Sequence, residues 1–483
     1  MTPDQWVEAW VRPIAAGLSG AVFYSVPIGG SDVPLIVLWL AAAAVFFTVY
    51  LRFINIRALG LAIRHVRGDF SDPGARGEIS HFKAVSTAIS GTVGVGNIGG
   101  VAVAISLGGP GAAFWLFTAG VLSMSTKLVE CTLGVRYRRY NDDGSVSGGP
   151  MFYLEAFFSE RGRPALGRLL GSFYALALVT GCLGIGNMFQ SNQAFAQVLV
   201  ITGGAQSPLQ GQGWLFGICL AGIVAAVIIG GIKSIARVAS ILVPFRAALY
   251  VLSCVVVIAL SYEHIPGAFA RVVGEAFTAQ AASGGILGAL VVGFQRALFS
   301  NEAGIGSASI AHSAVKTERP ASEGITALLE PFVDTVIICS LSSLVILTTA
   351  LPNDLMGSGL AGIELTSAAF GFHFSWAPYV IAVAALLFAF STTLAWSYYG
   401  LKGWTYLVGE GQGRSMSFQL VFCVFIALGC MLKLDAVLEF SDAMVFLIAF
   451  PNILALYLFA PEVRREVERY VADVADDRGL NQE

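Results

Sequence analysis

The chain has 483 residues, of which 56% are hydrophobic and only 12% charged, with a mean hydropathy of +0.74. That balance excludes an ordinary soluble domain and indicates an all-α polytopic membrane protein. A net charge of −3 gives no argument for nucleic acid or for a strongly charged protein partner, and no obligate protein partner is evident.

The first residues, 1–6, lack the basic region and cleavage site of a signal peptide and are expected to be retained, heading an extracytoplasmic segment 1–32. Apolar stretches of about 20 residues predict eleven transmembrane helices, near 33–53, 81–106, 110–131, 166–200, 213–231, 236–262, 281–312, 324–350, 375–408, 415–432 and 436–459. Between them, 22 of the 28 basic residues fall on alternate connections, beginning with Arg52, Arg57, Arg64, Arg67, Arg76 and Lys83 and ending with Arg464, Arg465, Arg469 and Arg478. Only Arg12, Arg271 and Lys433 lie on the other side. Basic residues mark the cytoplasmic face, so the N-terminus is expected outside the cell membrane and the C-terminus in the cytoplasm, as an odd number of spans requires.

Two of these stretches are interrupted. Ser90-Gly91-Thr92-Val93-Gly94-Val95-Gly96-Asn97-Ile98-Gly99-Gly100 and Phe299-Ser300-Asn301-Glu302-Ala303-Gly304-Ile305-Gly306-Ser307 collect glycines, and in the second an acid, at membrane depth. Glycine weakens a helix interior and charge is costly there, and irregular backbone persists in a bilayer only where it is buried in protein or lines a cavity. After an extra helix and cytoplasmic linker at 33–80, the remaining spans divide into five-helix sets at 81–262 and 281–460, joined by an extracytoplasmic connection at 263–280. Each set opens with its broken segment, and an odd number of spans per set inverts the second relative to the first. This is the pattern of an inverted-repeat secondary transporter with a site near the midplane. The charged segment 461–483 reads as a solvated cytoplasmic helix.

Gly94, Gly96 and Gly99 spell G-x-G-x-x-G, but no strand precedes them, so a dinucleotide fold is not indicated. Gly96 and Gly100 have the spacing of close helix packing, an alternative that leaves the other glycines unexplained. On the functional reading unwinding frees amides for an anion and carbonyls for a cation, so a substrate carboxylate and a sodium ion could bind side by side. The seven cysteines fall in apolar segments and read as buried thiols, and His65, His81, His264, His312 and His373 form no metal-ligand pattern. No nucleophile-base constellation suggests an enzyme, and no organic cofactor is implied.

The motif Thr92-Val93-Gly94-Val95-Gly96-Asn97 resembles the unwound first core helix of transporters with the LeuT-type five-plus-five fold. Adding Gly108-Gly109-Pro110-Gly111, Gly148-Gly149-Pro150-Met151, Gly186-Asn187-Met188-Phe189-Gln190 and the second broken segment, the chain from about 33 to 460 is similar to the alanine/glycine:cation symporter family. The resemblance implies sodium-coupled symport of a small neutral amino acid by alternating access; a proton-coupled carrier of the same fold is the alternative, although the ion-site residues offer no titratable group.

It also implies residue roles. Val95 and Gly96 would offer amides to the substrate carboxylate above a floor of Gly94 and Thr92. Asn97 would supply a cation ligand or satisfy the unwound backbone. Backbone carbonyls of Ser90 and Val93 would meet Ala389, Thr392 and Thr393, which lie on one helix face and suit a sodium ion, or whose hydroxyls bond back to their own helix. Trp396 and Phe299 are candidate pocket walls, and Gln190 and Asn301 are amides that need partners at that depth. Glu302 is expected to shape the second break or neutralise Arg296. Lys127, Glu130, Arg246, Glu330 and Asp334 read as bundle ion pairs or gate residues.

Overall fold

A computed structural model describes residues 13, 16–28, 31–70, 72, 74–142, 144–277 and 285–480. Arg12 and the junction at 278–284 lie outside them, as do parts of segment 1–32. A short antiparallel hairpin, β1 (Ser25–Ile28) with β2 (Ser31–Pro34), leads into α1 (Leu35–Tyr50), an addition to the all-helical expectation. A loop helix α2 (Leu59–Arg67) precedes the first broken pair, α3 (His81–Thr92) and α4 (Gly99–Gly108), joined through a 3-10 turn at Val95–Asn97. Then come α5 (Gly111–Arg136), a second hairpin of β3 (Arg139–Tyr140) and β4 (Val146–Ser147), and α6 (Pro150–Glu160). They are followed by α7 (Pro164–Ile201), α8 (Gly213–Ile228), α9 (Gly231–Leu260) and α10 (Ile265–Ala276).

The second half begins with the broken pair α11 (Gly285–Asn301) and α12 (Ser307–His312), then α13 (Pro320–Ala350) and α14 (Ile363–Gly371). It ends with α15 (Ala377–Val408), α16 (Gln412–Met431) and α17 (Leu434–Leu480). Among the described residues seven helices are long and apolar enough to cross a membrane, and the first broken pair, bent by 59°, makes an eighth. The apolar helices α1 and α8 are shorter, 16 residues each, or about 24 Å at 1.5 Å per residue.

Helix faces follow the solvent each must meet. On α9 and α16, Ile241, Phe245, Leu252, Leu420 and Val424 are exposed, as bilayer-facing side chains are. The segments α3, α5, α13 and α15 are buried among other helices, with Trp396, Phe388 and Lys127 fully enclosed. Five of the seven cysteines are buried, but Cys219 is exposed on α8 and Cys423 is half-buried, so the expectation of uniformly buried thiols fails on the outer helices.

The terminal segment also departs from expectation. Helix α17 continues through Pro451 and Pro461 to Leu480, and Val463, Val467, Tyr470 and Val474 are buried along one face. Their spacing of four, three and four residues keeps an apolar stripe on one side. The charged residues between them hid that stripe.

Candidate functional site

Both breaks are held open by side chains that replace lost helical hydrogen bonds. In the first, Asn97 Oδ1 accepts from the Gly94 N–H at 2.9 Å. Its amide nitrogen donates to Asp334 Oδ1 at 2.6 Å on α13. In the second, Glu302, Gly304 and Gly306 take positive φ, of 57°, 92° and 86°. There Glu130 Oε1 accepts from Gly304 N–H at 2.7 Å, Asn452 donates to Gly304 O at 2.8 Å, and the Tyr174 hydroxyl donates to Ile305 O at 2.9 Å. A side chain on Gly304 would strike Ile453 and Leu40, which is why this left-handed position needs glycine.

Asp334 connects the two breaks. Besides Asn97 it accepts from Ser300 Oγ at 2.9 Å, at the end of α11, and from Thr335 Oγ1 at 2.6 Å. The sequence signal for it was an acid inside an apolar span. Asn301, by contrast, turns to Thr335 at 3.1 Å and accepts from Ala303 N–H at 3.0 Å, bracing its own break.

Of the oxygens expected at an ion, those of Ser90, Val93 and Thr392 come together between α3 and α15. Thr392 Oγ1 lies 2.8 Å from Ser90 O and 3.4 Å from Val93 O, and Ser90 Oγ donates to Ser391 O at 2.7 Å. Thr393 Oγ1 bonds to Ala389 O at 2.8 Å within its own helix. Three oxygens of different residues thus face one point at which the α3 carbonyls have left their helix, a donor set suited to a hard cation. Behind it, buried Arg246 donates to Ile89 O at 3.1 Å and contacts Ser391 Oγ.

Substrate candidates are brought together in part. Gln190 Oε1 accepts from Val95 N–H at 3.1 Å while Gln190 Nε2 donates to Ile185 O at 3.0 Å. An anion that takes the Val95 amide must therefore displace Gln190. A methyl on Gly94 would stand 2.9 Å from both Gln190 Oε1 and Thr392 Oγ1, whereas one on Gly96 would meet nothing closer than the Phe299 ring at 3.7 Å. Phe299 packs edge-on against Phe189, centroids 5.4 Å apart. Phe189 was missed in the sequence; its place beside Gln190 was the available signal. Thr92 Oγ1 donates to Ala88 O at 3.3 Å, within α3. Trp396 touches Gly186 and Tyr399 and donates its indole N–H to Glu302 Oε1 at 2.9 Å.

Two electrostatic expectations need correction. Arg296 pairs with Asp442 of α17 rather than with Glu302, because it projects from α11 toward that helix. Glu302 instead accepts from Trp396 and Ser307, and the backbone-capping role falls to Glu130. The histidines do gather acidic partners in space: His312 Nδ1 lies 2.5 Å from Glu323 Oε1, its Nε2 contacts Glu330, and His81 contacts Glu323. Cys131 lies close to His312 and Glu330, but both ring nitrogens of His312 are taken by Glu323 and Glu330, so the imidazole has no free lone pair for an ion and the group is a hydrogen-bonded cluster that sequence separation concealed.

The chain matches the sodium:alanine symporter family model over residues 27–482. It belongs to that family. It is 35% identical over 438 residues to the sodium/alanine symporter AgcS of Methanococcus maripaludis, covering 90% of this chain and 94% of that one. It is 31% identical to the probable sodium/glutamine symporter GlnT of Bacillus subtilis, covering 90% and 87%. Among solved structures, that of MhsT in complex with L-phenylalanine aligns with a TM-score of 0.53 at 14% identity, over 82% of this chain and 100% of that one. The LeuT-type fold is therefore shared, and this symporter-family chain is a multi-pass membrane transporter of the amino-acid symport class.

Proposed function

We propose that this chain couples sodium entry to uptake of a small neutral amino acid, alanine or glycine, across the cell membrane by alternating access. It does so with eleven spans, its N-terminus outside and its C-terminus cytoplasmic, and with inverted five-helix repeats at 81–262 and 281–460. The observation that carries the reading is the convergence of Thr392 Oγ1 on the carbonyls of Ser90 and Val93 beside the Gly94–Val95 backbone. Sodium there ties α3 to α15, fixing the unwound segment that receives the substrate carboxylate, so each ligand favours binding of the other.

Val95 and Gly96 present amides, Gly94 and Thr92 line the floor, and Gln190, Phe299, Asn301 and Trp396 shape the surroundings; Asn97, Ala389 and Thr393 complete the ion site through ligation or by fixing its geometry. The names of the two relatives support a neutral amino acid and sodium. Uptake of labelled alanine into proteoliposomes decides the matter: an inward sodium gradient should drive accumulation, and accumulation that persists when choline replaces sodium overturns the coupling.

A further inference from the structure

The histidine–carboxylate cluster uses none of the residues assigned to substrate or sodium. His81 opens α3, His312 closes α12, Glu323 and Glu330 lie near the start of α13, and Lys127 and Glu130 belong to α5. All are buried. The same ends of the two broken helices are stitched by backbone: Ile79 and Val315 form a parallel bridge, and Lys316 N–H donates to Ile79 O at 2.8 Å. Arg138 clamps Ser313 O, Val315 O and Thr317 O at 3.0, 2.6 and 2.6 Å.

The hydrogens of this cluster can be counted. Three nitrogen-to-carboxylate contacts are made: His81 Nδ1 to Glu323 Oε2, His312 Nδ1 to Glu323 Oε1, and His312 Nε2 to Glu330 Oε1. An ionised carboxylate only accepts, and a neutral imidazole carries one N–H and one acceptor nitrogen. Two neutral histidines therefore supply two hydrogens for three contacts, and the third requires one more proton, on His312 or on a carboxyl group.

Charge favours the added proton as well. Glu130, Glu323 and Glu330 share one fixed cation, Lys127, whose Nζ lies 3.8 Å from Glu130 Oε2 and from Glu330 Oε2. An added proton leaves one uncompensated negative charge instead of two, which matters where no water screens them. The other groups facing the cluster are Cys131 of α5, Glu302 of the second break, and His65 of α2, stacked on His81 at 5.9 Å and backed by Tyr470 of α17. Arg64 and Asp69 lie beyond His65.

We propose that His81, Glu323, His312 and Glu330 form a buried proton site that latches the cytoplasmic ends of the two broken helices, and that losing the proton to an alkaline cytoplasm releases the inner gate. The assignment to the cytoplasmic side rests on the orientation and alternating-access reading above. Without the proton, a lone pair of His312 faces a carboxylate, so the contact that joins α12 to α13 turns repulsive.

Glu323→Gln tests this directly. The amide N–H2 donates to His312 Nδ1, its carbonyl accepts from His81, and His312 Nε2–H donates to Glu330, so all three contacts form without an added proton. Glu330→Gln satisfies the same count and serves if the first variant does not fold. For the full-length protein in detergent, the parent's thermal midpoint should fall between pH 7 and pH 9, because the folded state alone holds the proton. The variants should lose most of that fall, and variants that keep the parent's profile overturn the proton site.

In proteoliposomes at fixed exterior pH, raising interior pH from 6 to 8 should speed sodium-driven alanine uptake several-fold in the parent and leave Glu323→Gln unchanged. A parent indifferent to interior pH overturns the latch. If the protein moves no alanine at all, the proposed substrate falls while the thermal measurement still decides the proton site.

Discussion

Gly186 lies against the root of the Trp396 side chain so closely that a methyl group on Gly186 would overlap Trp396 Cβ and Cγ. Gly186 sits in a π-turn, Gly184–Met188, that widens α7 at this level. The glycine and the turn let α15 approach, and the indole N–H then reaches Glu302 at 2.9 Å in the second break. One aromatic side chain thereby joins three of the irregular or buried segments around the proposed site.

Gly186→Ala should force Trp396 out of its place, at a cost of about 1–3 kcal/mol of stability for overpacking. The thermal midpoint should drop and alanine uptake with it. An alanine variant with parent-like midpoint and uptake would show that Trp396 has room the geometry denies.

The two threonines of the ion face should differ. Thr392 Oγ1 points between the carbonyls of Ser90 and Val93, whereas Thr393 Oγ1 bonds to Ala389 O on its own helix. Losing one ligand costs on the order of 1 kcal/mol, about fivefold in affinity. Thr392→Val should therefore raise the sodium concentration for half-maximal uptake about fivefold, and Thr393→Ala should raise it less. Unchanged sodium dependence in both, with normal insertion, removes this face from the ion site.

Much of this arrangement was legible in the chain itself. Among the described residues each long apolar stretch coincides with a helix or broken helix, because exclusion of backbone polar groups from lipid leaves few other solutions. Both breaks were legible because glycine and charge are costly in a continuous span. Pairings across the bundle were not: Arg296 reaching Asp442, Glu130 capping Gly304, and His312 bridging two glutamates each join residues set by helix rotation and tilt. Hydropathy is blind to both. The π-turn at Gly184–Met188 escaped for a related reason, since its amides keep helical partners and only the register changes.

Gly94 and Gly96 should separate geometry from ligand space. A methyl on Gly94 would crowd Gln190 and Thr392 together, so Gly94→Ala should weaken both alanine and sodium affinity. Gly96→Ala has room in the fold, with its nearest neighbours the rings of Phe299 and Phe189 at 3.7 Å and 4.0 Å. It should leave the thermal midpoint unchanged and weaken alanine selectively. Equal effects on sodium and alanine in Gly96→Ala would move the substrate away from this backbone.

His65 supplies a pH dependence of opposite sign to that of the proton site. Burial first, and then the neighbouring His81, lowers its pKa to about 4, so it is neutral at pH 7 with Nε2 against the Tyr470 hydroxyl at 2.7 Å. A lowered folded-state pKa gives stability that is present above the unfolded value near 6.5 and lost as pH falls toward 4. Acidification from pH 6.5 to 4.5 should therefore loosen the docking of the α17 extension on α2, by up to about 3 kcal/mol. Hydrogen exchange at 463–474 reads it, and His65→Gln should flatten the response. Exchange that is insensitive to acid in the parent would contradict a neutral, buried His65.

Selectivity should follow from what the walls cannot pair. If backbone amides hold the carboxylate as proposed, they do so whatever the side chain, and discrimination should fall to Gln190, Phe299, Phe189 and Trp396, none of them charged. The nearby acids are already engaged: Asp334 accepts from Asn97, Ser300 and Thr335, and Glu302 from Trp396 and Ser307. The ammonium of lysine therefore meets acids that already accept hydrogen bonds, and the second carboxylate of glutamate meets two acids of its own sign. Either substrate would leave a charge desolvated and unpaired, at a cost of several kcal/mol. In competition against labelled alanine, neither should inhibit appreciably, and strong inhibition by either contradicts an uncharged pocket. Large apolar amino acids should fail for want of space, and Trp396→Ala should admit them weakly. The same change removes the hydrogen bond to Glu302 and should weaken alanine; unaltered selectivity in that variant would take Trp396 out of the wall.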